Sequence, residues 1–163
     1  PPLEPPPMIP NASLEDQARW LVRAYVLSAQ VGAASFFWYD FEDGSGTASL
    51  FSEDWFGLTS HDADGSDDVP PVPKPSYLAY QALLAAIVGM DYAGDHSPSE
   101  ACRLHRFTDG DADAWVAWAP KAPCSLPAPV GGEVRDLFGM VLGPVQGGES
   151  LELGESPIYL VAP

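Results

Sequence analysis

With 163 residues, of which 46% are hydrophobic, the chain has the length and composition of a folded protein with one domain or two small pieces sharing a core. Twenty-three acidic side chains stand against seven basic ones, a formal net charge of −16, which argues against nucleic acid or an anionic membrane as partner and fits a neutral one. No stretch has the length of a membrane span, and the first residues lack the charged and apolar regions of a signal peptide, so export is not legible here.

Pro1 to Pro10 is dominated by proline and reads as a loop. A helix is expected over 13–31. Ser13 can cap it with Asp16 in the reciprocal capping-box position, Leu14, Ala18, Leu21, Tyr25, Ser28 and Ala29 recur at helical spacing, and Gly32 is a natural stop. Ala34 to Tyr39 is apolar on both faces, the pattern of a parallel strand covered on both sides. It runs into an aromatic and acidic tip, Trp38-Tyr39-Asp40-Phe41-Glu42-Asp43. In α/β folds the carboxyl ends of strands surround the ligand crevice, so this tip points to a binding site.

Residues 41–73 form a long loop rich in Gly, Ser and Asp, with Trp55 and Phe56 as aromatic punctuation. A second helix follows over 75–88, opened by Lys74-Pro75-Ser76, with an expected apolar stripe of Tyr77, Tyr80, Leu83, Leu84, Ile87 and Val88. Beyond Gly89 the period changes to two. Cys102 to Phe107 and Ala114 to Trp118 alternate around a turn at Thr108 to Asp113, and Val134 to Gly139 and Ser156 to Val161 add two strands. Residues 90–163 therefore read as a small antiparallel β-sandwich. Its two cysteines, Cys102 and Cys124, are either a disulfide, if the fold brings their Cα atoms within about 7 Å, or two separate buried thiols.

The order of Gln17-Ala18-Arg19-Trp20-Leu21-Val22-Arg23, Phe37-Trp38-Tyr39-Asp40-Phe41, Lys74-Pro75-Ser76-Tyr77-Leu78-Ala79-Tyr80 and Ser156-Pro157-Ile158-Tyr159-Leu160 resembles the C-terminal part of clan-A glycoside hydrolases, nearest to the xylosidase and iduronidase type. The resemblance implies that residues 1–89 are the end of a (β/α)8 barrel, with helix 13–31 as its seventh helix, strand 34–39 as its eighth strand and helix 75–88 as its eighth helix. The antiparallel domain would be the appended sandwich. It further implies hydrolysis of β-linked oligo- or polysaccharide by a retaining two-carboxylate mechanism. The catalytic glutamates of that family end the fourth and seventh strands, so they are expected upstream of residue 1 and no catalytic residue is assigned in this chain. The upstream remainder of the barrel would be its partner, and an extracellular or periplasmic site follows from the family alone.

By the same resemblance Trp38 is the floor under the sugar at the cleavage point, an indole face against the apolar face of a sugar ring. Tyr39, Asp40 and Asp43 can hydrogen-bond sugar hydroxyls, although Asp after a strand often only caps a turn. Trp55 and Phe56 line the site or pin the loop. Glu4 follows no strand and receives no catalytic role. His61-Asp62-Ala63-Asp64-Gly65-Ser66-Asp67-Asp68 fails EF-hand spacing and reads as a solvated acidic loop, as do Asp109, Asp111 and Asp113 in their turn. His61, His96 and His105 have no ligand spacing, Asn11-Ala12-Ser13 matches a glycosylation acceptor whose serine is better explained as a cap, and no cofactor or metal is expected. The alternatives to a hydrolase fragment are a non-catalytic carbohydrate-binding or interaction module and a structural domain without a ligand.

Overall fold

The computed structural model describes residues 13–44, 55–60 and 71–162. The proline-rich start with Glu4 and Asn11, and the acidic segment His61 to Asp68, lie outside the described residues.

Helix α1 spans Leu14–Gln30. Its capping box is complete: Asp16 N donates to Ser13 Oγ at 3.1 Å, and Ser13 N donates to Asp16 Oδ2 at 2.8 Å. The carboxylate of Asp16 is held below its usual range, chiefly by that backbone N–H. The helix stops at Val31, and Gly32 takes a positive φ of 74° just beyond it. Ala18, Leu21, Val22 and Val26 form the buried stripe. Strands β1 (Thr59–Ser60) and β2 (Val72–Pro73) make a two-residue antiparallel ribbon within the long loop. Helix α2 spans Pro75–Ile87 with proline in its first turn, where the missing N–H costs nothing. Its buried face is Ser76, Ala79, Ala82, Leu83, Ala86 and Ile87, rotated from the expected stripe. Alanines let the helix approach its neighbours closely, while Tyr77, Tyr80 and Leu84 pack at the flank and Val88 is 74% exposed.

The C-terminal part is a six-stranded antiparallel sheet and a two-stranded ribbon. Its strands are β3 (Asp91–Asp95), β4 (Arg103–Thr108), β5 (Asp113–Trp118), β6 (Cys124–Pro127), β7 (Gly132–Arg135), β8 (Val141–Val145), β9 (Ser150–Leu153) and β10 (Ile158–Val161). The sheet order is β3-β4-β5-β10-β7-β8, and β6 pairs with β9. The expected hairpin is present, with Phe107 opposite Ala114 and Thr108 opposite Asp113. The chain end inserts as β10 between β5 and β7, placing Tyr159 opposite both Val116 and Arg135.

Alternation along β5 stitches two cores together. Ala114, Val116 and Trp118 face the helices, joining Leu21, Val22, Val26, Leu83, Ile87, Phe107 and Tyr159. Trp115 and Ala117 face the β6–β9 ribbon, joining Leu104, Leu126, Val134, Leu151, Leu153 and Leu160. Each fully buried Leu or Val contributes roughly 1.5–3 kcal/mol of transfer free energy. The sheet and ribbon form the sandwich-like layer pair, and the two helices cover the sheet's other face, so the packing is continuous across residues 89 and 90.

Two expectations change and one open alternative closes. Residues 34–39 join no ladder among the described residues; a strand exists only by pairing, and the first bridge after them is that of Glu42, parallel to Thr59. The expected strand 134–139 ends at Arg135, because the Asp136 carboxylate accepts from the N–H groups of Phe138 and Met140, each at 2.9 Å, and turns the chain. Cys102 and Cys124 are joined in a disulfide with Cα atoms 6.0 Å apart, which resolves the alternative left open above.

Candidate functional site

The tip that follows residues 34–39 is built around the chain stretch Trp55 to Leu58. The backbone of Phe41 accepts from Leu58 N and Thr59 N, each at 3.0 Å, and Asp43 N donates to the Thr59 carbonyl at 2.9 Å. Gly57 lies so close to this strand end that an added Cβ would sit 2.2 Å from Asp43 N and 2.4 Å from the carbonyl carbon of Glu42. Only glycine fits there.

Three side chains from three elements then hold three successive carbonyls. Lys74 Nζ donates to Trp55 O at 2.9 Å, Trp38 Nε1 to Phe56 O at 2.8 Å, and Gln17 Nε2 to Phe56 O at 3.0 Å and Gly57 O at 3.2 Å. Gln17 comes from α1, Lys74 from the N-cap position of α2 and Trp38 from the predicted strand. Trp55 and Phe56 therefore pin the loop through their backbone.

Lys74 also donates to Asp43 Oδ1 at 2.8 Å, an ion pair with side chains only 4% and 6% exposed. Burial lowers the lysine pKa, and the Asp43 carboxylate opposes that shift. Asp43, expected from the sequence either to bind a sugar hydroxyl or to cap a turn, sits in this buried pair. Asp40 is exposed, and its carboxylate accepts from the neighbouring Phe41 N at 2.5 Å, the turn-capping alternative. The Tyr39–Asp40 peptide bond is cis.

The aromatic side chains separate into two sets. Phe36 meets Tyr25 of α1 edge-on at 5.8 Å between ring centres, and Trp38 is half-buried against the helix-side core. Phe37, Tyr39 and Phe41 are 88%, 65% and 59% exposed. A shallow depression of about 210 Å³ opens here, lined by Leu21, Phe36, Phe37, Trp38, Phe41, Leu58 and Tyr80. Its lining is apolar and aromatic throughout. Lys74, Gln17 and Gly57 were not singled out as site residues in the sequence. The available signal was a rare basic residue set directly before Pro75 and an apolar helix, in a chain with seven basic residues in all.

Elsewhere, His105 is fully buried, stacks on Trp118 at 5.0 Å and shares a hydrogen bond with Tyr92 Oη through Nδ1 at 3.0 Å. Burial depresses its pKa, with Asp95 opposing, and pushes the Tyr92 phenol up to about 12. Among the described residues no group of three or more His, Cys, Asp or Glu side chains is placed to hold a metal ion, and no helix is long and apolar enough to cross a membrane.

No family model matches the sequence, and no match is found among curated proteins. Solved structures do share the fold. A family 39 glycoside hydrolase from the gut symbiont Bacteroides cellulosilyticus WH2 superposes on 93% of this chain with a TM-score of 0.73 at 24% identity. A conserved exported protein from Bacteroides fragilis covers 98% with a TM-score of 0.62 at 15% identity, and a GH30 endoxylanase from Clostridium papyrosolvens C71 covers 92% with a TM-score of 0.58 at 12% identity. The chain spans 31%, 37% and 38% of those three proteins, about a third of each. At these identities the likeness is one of fold, and two of the three folds belong to glycoside hydrolases.

Proposed function

We propose that this chain is the C-terminal part of a clan-A O-glycoside hydrolase, contributing the last strand and helices of a (β/α)8 barrel and the sandwich appended to it. The observation that carries this reading is that nearly the whole chain superposes on about a third of a family 39 glycoside hydrolase. The exposed ring row of Phe37, Tyr39 and Phe41 supports it, since a barrel strand needs neighbours on both edges and a filled interior. The parent would cleave β-linked oligo- or polysaccharide with two glutamates about 5 Å apart, one a nucleophile and one an acid/base. Both would lie upstream of residue 1, and the tip from Trp38 to Asp43 would border the sugar. The Cys102–Cys124 disulfide fits an oxidising compartment, which supports an extracellular or periplasmic site.

Reading the coding DNA in frame upstream of Pro1 tests this. Barrel strands ending in Asn-Glu and in Glu would support the hydrolase; a start codon with no such strands would remove it. A second reading, a non-catalytic carbohydrate-binding module, is favoured by one observation: the helices and the sheet already close a continuous core. It predicts glycan affinity without turnover.

A further inference from the structure

Strand β3 lies at the rim of the six-stranded sheet and pairs with β4 alone, whereas β4, β5, β10 and β7 are each paired on both sides. Its ladder is irregular: the register shifts between Tyr92 and Gly94, and Gly94 takes a φ of 135°. The extra residue, Ala93, changes which side chains share a face. Tyr92 and Asp95, three positions apart, would fall on opposite faces of a regular strand. With the bulge, Tyr92 stands opposite Phe107 and Asp95 opposite His105, on the side of the sheet that the helices cover.

The fully buried His105 is the group they enclose. Its Nδ1 shares the hydrogen bond with Tyr92 Oη, its ring stacks on Trp118 of β5, and Nε2 has no hydrogen-bond partner among the described residues. Asp95 of β3, His96 just beyond it and Arg103 of β4 are the charged or titratable groups whose fields reach the ring. Arg103 and His96 oppose a proton there, and Asp95 is already engaged: Gln30 of α1 donates to its Oδ2 at 2.8 Å and Ser97 N to its Oδ1 at 2.9 Å. A second ring proton would therefore place an N–H without an acceptor in a buried site, a cost that the Trp118 face offsets only in part. Lifting β3 lets water reach it, and β3 has a single neighbour to leave.

We propose that His105 is an acid-operated latch on the edge strand: protonation of its ring releases β3 from β4 while the rest of the sheet stays paired. The closed state disfavours the imidazolium and the open state restores the ordinary value near 6.5, so the latch holds above about pH 6.5 and lets go as pH falls below it. Burial raises the Asp95 carboxyl, but its hydrogen bonds to Ser97 outweigh that and hold it below the usual range, so it stays charged at about pH 5.

The test is hydrogen–deuterium exchange read by mass spectrometry on the protein expressed from its complete reading frame, at about pH 7.5 and 5.0 with correction for intrinsic rates. Peptides from β3 are expected to lose protection at the lower pH by on the order of tenfold, out of the roughly thirtyfold that about 1.5 pH units below 6.5 allows. Peptides from β5 and β10 are expected to change by less than about twofold. His105→Gln, which keeps a neutral side chain, is expected to abolish the difference between the strands. An equal fall in β3, β5 and β10, or none in β3, overturns the latch on the wild-type protein alone. A β3 loss undiminished in His105→Gln overturns His105 as its trigger.

Discussion

Replacing Lys74 with methionine keeps the length of the side chain and removes its charge. At the observed 2.8 Å separation from Asp43, the Coulomb attraction is about 6 kcal/mol at an effective dielectric constant of about 20. Several kcal/mol of desolvation for each ion offset it, so the intact pair contributes little net stability. The single substitution upsets that balance. It removes the attraction, leaves the Asp43 carboxylate in a site where it is 6% exposed, and withdraws the donor from the Trp55 carbonyl. The expected loss is about 3–5 kcal/mol. With roughly 2–4 °C per kcal/mol for a chain of this size, the thermal midpoint should fall by about 6–20 °C. Urea or thermal unfolding followed by circular dichroism measures it. The double variant Lys74→Met, Asp43→Leu should recover part of the loss, because two apolar groups can replace a buried pair at small cost. A single-variant loss below about 1 kcal/mol, the range of an exposed ion pair, would refute the reasoning.

Acid should weaken the fold through His105. Burial lowers its pKa in the folded state, so below the unfolded value of about 6.5 the unfolded chain binds a proton that the folded one resists. Its contribution is fully present above about pH 6.5 and is lost as pH falls below that value; the midpoint drop from pH 7 to 5 should be shallower in His105→Gln, and an identical slope would count against it. Breaking the Cys102–Cys124 bridge, which spans 22 residues, should cost about 3 kcal/mol by loop-closure entropy, and an unchanged urea midpoint after reduction would contradict this. Gly57→Ala should destabilise by 1–3 kcal/mol or more, since the added methyl group meets backbone at 2.2 Å; a wild-type midpoint would show that the loop can shift freely.

What was legible in the sequence was local. Ser13 and Asp16 announced the start of α1 through side chains three residues apart, and the alternation in Cys102 to Phe107 and Ala114 to Trp118 announced the hairpin. Strands β3, β8 and β9 are not legible because they are four or five residues long, and β3 and β8 are interrupted by glycine or proline. The buried face of α2 is rotated from the stripe its bulky residues mark, because Ala79, Ala82 and Ala86 face the core. At the site, Asp43 and its partner Lys74 lie 31 residues apart, a separation that no local pattern encodes.

The grip of Gln17, Trp38 and Lys74 on the carbonyls of residues 55–57 has a consequence for how such a protein can vary. It acts as a mooring: residues 55–57 are tied down by bonds to main-chain atoms, which every amino acid supplies. The identity of residue 56, whose side chain is 42% exposed, can therefore drift while the tip beside Tyr39 keeps its footing.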